Sequence, residues 1–471
     1  RMSRFSIVEY IGPSERVSCG YCGYDGKQRK VSLGEGAKED SGSVCLGAWA
    51  HVVGTSDYLS LLNSGWRRSG AYLYKPTMAR TCCPQYTIRL DVHKFTPSRT
   101  QKKVLRDMEL FLRTGEKPRQ KKETGGIAAG DAGDRVGGRR KEKKEAGEKK
   151  SEQQVQRGMK KKEIRRQRAL ERWKRQGVDV EQRLAERRER ESKRCKSLQE
   201  RLGQTALPPF AHSLQVEVVA VGSEEYNERS DESFALFEKY QQTIHNDERV
   251  TRSGYDRFLV RSPLLASRDG VLGSFHHRYL LDGKLIAVGV VDVLPGCLSS
   301  KYLFYDPDFS FLTLGTYTAL REIAEVQRLS MTRPELHFYY MGYYIASCPK
   351  MRYKGRFRPS ELLCDHSFKW VELKECLSML YSNGGGFTVF CPSEERAPRM
   401  SPLDARVLFR RRAVFVRNLP DPEREKIISD LSSIADCIAA PLSSQPNSLL
   451  FCFKQFQSSD SDDEEDAEVS A

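Results

Sequence analysis

The chain has 471 residues, of which 39% are hydrophobic and 30% charged, and its formal net charge is +15. That length allows two or three domains with a substantial core, while the low apolar fraction leaves part of the chain to solvent. The basic balance points to a polyanionic partner. The lack of an apolar run long enough to cross a bilayer, or of an apolar signal core near the start, sets the expectation of a soluble chain with no membrane partner.

Residues 1–112 open with turn signals at Gly12-Pro13, Asp25-Gly26 and Gly34. A helix is predicted over Ser56–Leu62, capped by Ser56 or Asp57. Alternating runs at Gly70–Pro76 and Gln85–Val92 predict strands. This segment reads as a small α+β domain. Residues 113–205 differ sharply: Lys, Arg, Glu, Gly and Gln dominate, Gly125–Gly138 is low-complexity, and Lys160–Leu202 favours helix without heptads. It is either a solvated charged linker, helical or disordered, or an electrostatic arm for phosphates.

Residues 206–456 form a second domain. Leu214–Val219 reads as a strand, and Ser230-Asp-Glu232 caps a helix with Phe234, Phe237, Tyr240 or Gln241, and Ile244 on one face. A hairpin over Arg278–Val291 turns at Asp282-Gly283, a type I′ signal. A strand at Ser300–Tyr305, a helix at Gly315–Leu329 and a strand at Leu336–Tyr340 follow. The tail, 457–471, is rich in Ser, Asp and Glu and reads as disordered.

The 13 cysteines, an odd number, suit a reducing compartment, cytosol or nucleus. Cys19-Gly-Tyr-Cys22 and the adjacent pair Cys82-Cys83 can close a tetrathiolate site. The long separation of the pairs leaves four free or buried thiols as the alternative. His93 is close enough in sequence to replace one ligand, although a surface histidine explains it equally.

The element order in 206–456 resembles an acetyltransferase-like (GNAT) core. Enzymes of that fold that use acyl-CoA hold pyrophosphate on a basic, glycine-rich loop before the main helix. Here that place reads Ser310-Phe-Leu-Thr-Leu-Gly315-Thr316, without the basic residue, so a different activated donor fits better.

Longer matches then come into view. Cys19-Gly-Tyr-Cys22, Gly65-Trp-Arg-Arg-Ser-Gly70, Tyr72-Leu-Tyr-Lys-Pro76, Thr81-Cys-Cys-Pro84, Asp282–Gly289, Asp292-Val-Leu-Pro295, Ser299–Tyr302, Tyr305-Asp-Pro-Asp308 and Tyr339–Ile345 with Cys348–Lys354 together resemble the arginyl-tRNA–protein transferases. The resemblance spans most of 15–112 and 206–375. It implies transfer of arginine from arginyl-tRNA to the α-amino group of proteins that begin with Asp, Glu or oxidised Cys, marking them for ubiquitin-dependent degradation. It also implies zinc or an iron–sulfur cluster on Cys19, Cys22, Cys82 and Cys83.

An aminoacyl ester is already activated, so its aminolysis needs neither ATP nor coenzyme A. It needs a neutral amine, a proton acceptor, oxyanion donors and two substrates held together. Asp292, Tyr302 and Tyr343 are the catalytic candidates: Asp292 as acceptor or anchor against a turn-capping role, the tyrosines as donors against plain packing. Arg278, Lys301, Arg352 and Lys354 are candidates for substrate binding, because an acidic first residue demands a cation, and Tyr305 and Tyr340 join them as hydroxyl donors at the strand ends. Strand alternation places Lys301 and Tyr302 on opposite faces. Trp66, Arg67 and Arg68 suit tRNA phosphate and base stacking, unless Trp66 is core and the arginines are solvated. His276-His277 reads as a structural pair or a proton acceptor.

The expectation is therefore an α+β chain: a GNAT-like C-terminal domain packed with a cysteine-cluster N-terminal domain, monomeric, with a charged insertion. The rival functions are a coenzyme A-dependent acyltransferase and a non-catalytic tRNA-binding regulator.

Overall fold

In the computed structural model the described residues are 6–14, 19–22, 42–118, most of 167–186, 197–203, 210–439 and 449–453. The low-complexity piece at 125–138 and the acidic tail lie outside them. The described residues of 127–203 fall in one compact unit and are mostly helical, as the composition of 160–202 predicts. All other elements belong to a second unit. No helix among the described residues is long and apolar enough to cross a membrane.

The second unit begins with β1 (Ser6–Pro13), β2 (Cys45–Val52), helix α1 (Thr55–Asn63), β3 (Arg67–Ser69), β4 (Tyr72–Pro76), β5 (Tyr86–Asp91) and helix α2 (Arg99–Thr114). After residue 206 come β6 (Leu214–Ala220), α3 (Ser230–Tyr240), β7 (Gly273–Leu281), β8 (Lys284–Leu294), β9 (Cys297–Tyr305), α4 (Leu314–Leu329) and β10 (Phe338–Tyr344). The last are β11 (Ser360–Leu363), β12 (Trp370–Glu372), β13 (Arg406–Phe409), β14 (Arg412–Phe415), α5 (Asp421–Ala435) and β15 (Leu449–Cys452).

They build two mixed sheets, ordered β14-β13-β15-β1-β2-β4-β3 and β12-β11-β5-β10-β9-β8-β7-β6. Neither sheet respects a boundary at 112 or 206. β5, from the N-terminal segment, lies between β11 and β10, while β13–β15 complete the sheet begun by β1. An apolar cluster that includes Val8, Leu61, Trp66, Leu431 and Phe451 also takes in Leu294, Cys297 and Tyr340, so it joins the two sheets. Burial of these side chains, at about 25 cal/mol per Å² of apolar surface, is the main force holding the segments together.

Local differences from the sequence reading have physical causes. Helix α1 starts at Thr55 with Gly54 as its cap; Asp57 instead accepts a hydrogen bond from Ser6. Helix α2 carries a capping box, in which Ser98 Oγ accepts from the Gln101 amide at 3.3 Å and Gln101 Oε1 from the Ser98 amide at 2.8 Å. Helix α3 gives way to a π-turn over Gln241–His245, which rotates Ile244 out to 41% exposure. The β7–β8 hairpin turns at Asp282 (φ 50°) and Gly283 (φ 83°), the type I′ conformation its sequence predicts.

Two irregularities position the site. Strands β9 and β10 pair in parallel only at Cys297–Phe338, Leu298–Tyr339 and Ser299–Tyr340, and no further pairs join them. Each carries a bulge just beyond. On β9 the register passes from Val291–Ser300 to Val290–Tyr302, leaving Lys301 unpaired. On β10 it passes from Tyr340–Arg89 to Tyr343–Thr87, with Gly342 at φ 71° supplying the bend.

Candidate active site

Where β9 and β10 part, the short edge strand β3 presents two consecutive arginines. Arg68 donates from Nε to Asp292 Oδ2 at 2.8 Å and from Nη2 to Asp292 Oδ1 at 2.5 Å. Ser274 Oγ donates to Oδ1 at 2.8 Å, and Ser262 Oγ lies 2.6 Å from Ser274 Oγ. The side chains of Arg68 and Asp292 are 1% and 0% exposed. Burial raises the Asp292 carboxyl, but the charges of Arg68 and Lys301 and the two donors outweigh it and hold the group below its ordinary value. Asp292 is thus the buried anchor of a guanidinium, with both oxygens taken. The expected contact with amine or arginyl group is not available to it as placed.

Arg67 points to β10. Its Nη1 donates to Trp66 O at 2.8 Å and its Nη2 to Gly342 O at 3.3 Å, and the guanidinium lies 5.2 Å from the Tyr343 ring centroid. Among the described residues its buried Nε has no hydrogen-bond partner. Lys354, also buried, donates to Tyr343 O at 2.7 Å. Its pKa is lowered to about 7 by burial and by the Arg67 charge, against a raising contribution from Cys348.

The bulge corrects the alternation expected for β9. Lys301 falls on the same face as Tyr302: its amine senses Asp292 and Arg68, and Tyr302 packs on Phe237 and Phe258 of that side. Lys301 is half-buried, and no hydrogen bond or salt bridge closes on its amine among the described residues. Burial presses its pKa down, the Arg68 charge presses it further, and Asp292 opposes both, leaving it at about 7. Four cations, Arg67, Arg68, Lys301 and Lys354, therefore gather at the divergence. Of these, Arg68 alone makes a salt bridge among the described residues.

Other candidates fall elsewhere. Trp66 is 1% exposed and donates from Nε1 to Cys437 O at 3.0 Å, so it is core rather than a stacking platform. Arg67 and Arg68 are buried too, contrary to both sequence readings, because β3 is covered by the second sheet. The Tyr340 hydroxyl donates to Asn63 Oδ1 at 2.7 Å and that of Tyr343 to Gly65 O at 2.8 Å; both fix the turn before β3. Tyr302 accepts from Gln241 at 3.3 Å, and Tyr305 stacks edge-on against Tyr240. Arg278 is 2% exposed and pairs with Glu232, opposite Val288 and away from the divergence. Arg352 is exposed on the turn after β10. His276 and His277 are buried with pKa values lowered to about 4 by desolvation, which makes them a neutral structural pair.

One buried acid was missed. Glu322 of α4 accepts from the Tyr339 hydroxyl at 2.6 Å on the opposite face of the sheet, and desolvation raises its pKa to about 7. A Cβ on Gly289 would stand 2.8 Å from Glu322 Oε1. The signal was an acidic residue on the inward face of a helix, flanked by Leu320 and Ile323.

The four cysteines do converge. The sulfur atoms of Cys19, Cys22, Cys82 and Cys83 all lie within 4.8 Å of one another, with Cys22 and Cys82 at 3.6 Å. Bonds of about 2.3 Å in a tetrahedral thiolate site set sulfurs about 3.8 Å apart, so the group fits a metal ion. His93 is exposed and takes no part. The cluster packs against Ile345, Cys348 and Met351, the segment leaving β10.

Two family models match the chain: the N terminus of arginine-tRNA-protein transferase over residues 17–103 and its C terminus over 232–364. The chain is 36% identical over 419 residues to arginyl-tRNA–protein transferase 1 of Drosophila melanogaster, covering 79% of this chain and 83% of that one. It belongs to the arginyl-tRNA–protein transferase family. Transferase 2 of Arabidopsis thaliana is 32% identical over 483 residues, 80% of this chain and 76% of its own. An aspartate/glutamate leucyltransferase of Pseudomonas fluorescens is 40% identical over 147 residues, 31% of this chain and 56% of that one. A solved C-terminal domain of a lysylphosphatidylglycerol synthetase from Agrobacterium fabrum reaches a TM-score of 0.17 at 18% identity over 28% of this chain and 36% of that one, too slight to carry an argument. Within the arginyl-tRNA–protein transferase family, the cysteine set, β3 with its two arginines, and β8–β10 all fall inside the matched regions.

Proposed function

We infer that this chain transfers arginine from arginyl-tRNA to the α-amino group of polypeptides that begin with Asp, Glu or oxidised Cys, and so marks them for ubiquitin-dependent degradation in cytosol or nucleus. The observation that carries the choice of acceptor is Lys301, a half-buried cation on a bulge with no anion closed on it among the described residues. A carboxylate or sulfinate on the incoming first residue completes that pair. The charge-assisted contact is stronger here than in water, because the site is shielded from solvent.

The reaction breaks the ester C–O bond and forms an amide C–N bond. The attacking amine loses a proton, and the terminal ribose hydroxyl of the tRNA leaves protonated. This chain's residues supply placement and field. Asp292 holds Arg68 and moderates the desolvation of Lys301. Arg67 and Lys354 secure the carbonyls of Gly342 and Tyr343 and so the shape of the β10 bulge. The cation excess draws the anionic tRNA end and the acidic acceptor to one place. The order β6–α3–β7–β8–β9–α4–β10, with β9 and β10 parting, supports the acetyltransferase-like reading of this half.

Cys19, Cys22, Cys82 and Cys83 would hold zinc or an iron–sulfur cluster; sulfurs within 4.8 Å favour a single ion over a cluster with bridging atoms between its thiolates. When bound, it cross-links 19–22 to 82–83 and braces the segment after β10. Incubation of the protein with radiolabelled arginyl-tRNA and peptides beginning with Asp, Glu or Ala tests the reading. Label on the first two and not on the third is expected; no label on Asp or Glu peptides overturns it.

A further inference from the structure

We propose that the β13–β14 hairpin is a docking surface for the phosphate backbone of RNA, remote from the transfer site. This rests on the arginyl-tRNA reading above for the identity of that RNA.

The hairpin is built unusually. Its turn residues, Arg410 (φ 47°) and Arg411 (φ 59°), both adopt the left-handed conformation of a type I′ turn. Asn-Gly or Asp-Gly is the common choice there, because a side chain with a Cβ is strained at positive φ. Arginine at both positions gives the turn no conformational advantage. Between Asp404 and Asp421 the chain has five arginines and no acidic residue. Arg410, Arg411, Arg412 and Arg417 are exposed. Neither Arg410 nor Arg412 meets a carboxylate among the described residues, whereas Arg417 pairs with Asp404 at 2.7 Å.

The guanidinium groups are also held in position. Arg406 lies 4.7 Å and Arg417 5.1 Å from the Phe415 ring centroid, and Arg410 lies 5.1 Å from that of Phe409. Such contacts restrain long side chains, which lowers the ordering cost of a phosphate contact. β14 is an edge strand of its sheet, and charge on an edge also deters pairing with another chain. One charge on the strand suffices for that, and it does not require arginines at both strained turn positions.

Position sets the kind of RNA feature. Six inter-strand steps separate β14 from β3, where Arg67 and Arg68 lie, and at about 4.8 Å per step that is roughly 29 Å. A strand with its 3′ end in the cleft passes on the order of eight phosphates in that distance. The hairpin therefore meets the helical body of the RNA rather than its terminal nucleotides. Recognition there runs through phosphates and shape, without base readout.

The test replaces the turn by the sequence it favours, Arg410→Asn with Arg411→Gly, in the full chain, so that the fold is kept or strengthened while two charges go. Binding of uncharged tRNA is followed by filter retention across a salt series. The expected result is several-fold weaker binding and a log–log salt slope shallower by about 2, with an RNA of only the four 3′-terminal nucleotides bound as before. An unchanged affinity and slope overturns the proposal. So does an equal loss with the short RNA. A variant effect that disappears once residues 457–471 are removed assigns the hairpin to the acidic tail instead and also overturns it. Because binding is read without transfer, a failure of the arginyltransferase reading shows separately, as absence of label on Asp-headed peptides.

Discussion

Arg68 and Asp292, 224 residues apart in the chain, are joined by two hydrogen bonds in the interior and tie the edge strand β3 to the central strand β8. The pair couples the two sheets at the place where β9 and β10 part. It also adjusts the charge of Lys301, which feels repulsion from Arg68 and attraction from Asp292.

Asp292→Asn leaves Arg68 buried without an anion. A loss of about 3–5 kcal/mol in denaturant-measured stability is expected. The double variant Asp292→Asn with Arg68→Met removes both charges and should recover a large part of that. The pair also predicts acid sensitivity. The folded pKa of Asp292 lies below its ordinary value, so its contribution is present above about pH 4, the unfolded value, and fades as pH falls through the lower folded one.

Lys301 gives the reaction a pH signature. With a folded pKa of about 7, the free protein loses this positive charge as pH rises through neutrality. KM for an Asp-headed peptide should rise across pH 7 to 8.5, and binding at the upper end should take up a proton. Lys301→Arg, charged throughout, should flatten the profile. Steady-state kinetics in buffers of differing protonation enthalpy, paired with calorimetry, would check both.

Cys82→Ser should empty the metal site and loosen what packs on it. Hydrogen exchange is expected to speed up over Ile345–Lys354, with little change in α3, and elemental analysis should show the metal lost. Bound metal retained by the variant counts against the ligand assignment.

Much of this was legible in the sequence. The β7–β8 hairpin, α4 and the cysteine quartet follow from Asp282-Gly283, from 3.6-residue periodicity and from thiol spacing. The Lys301 face was not, because a bulge shifts register without a residue-type signature. Trp66 as core was one of two readings the sequence left open, but the burial of Arg67 and Arg68 was hidden, since it depends on β5 and β13–β15 crossing between the segments. Local pattern does not report such non-local pairing. Helix α2 was legible and unread: Ser98-Arg-Thr-Gln101 is a capping box and Gly115 a left-handed C-terminal stop.

Gly289→Ala tests the opposite face. The added Cβ meets Glu322 Oε1 at 2.8 Å, so a cost of about 1–3 kcal/mol is expected. Gly289→Ala combined with Glu322→Ala should cost less than the sum of the single changes, as contact between them requires.

The most direct test of the account is the ratio of kcat/KM for Asp-headed over Asn-headed peptides, with arginyl-tRNA as donor, in the parent protein and in Lys301→Met. The two acceptors differ in charge and hardly in shape. A large ratio that collapses by tenfold or more in the variant, chiefly through the Asp-headed peptide, is the result expected. A ratio that survives the substitution shows that another group reads the acidic residue and contradicts the central claim.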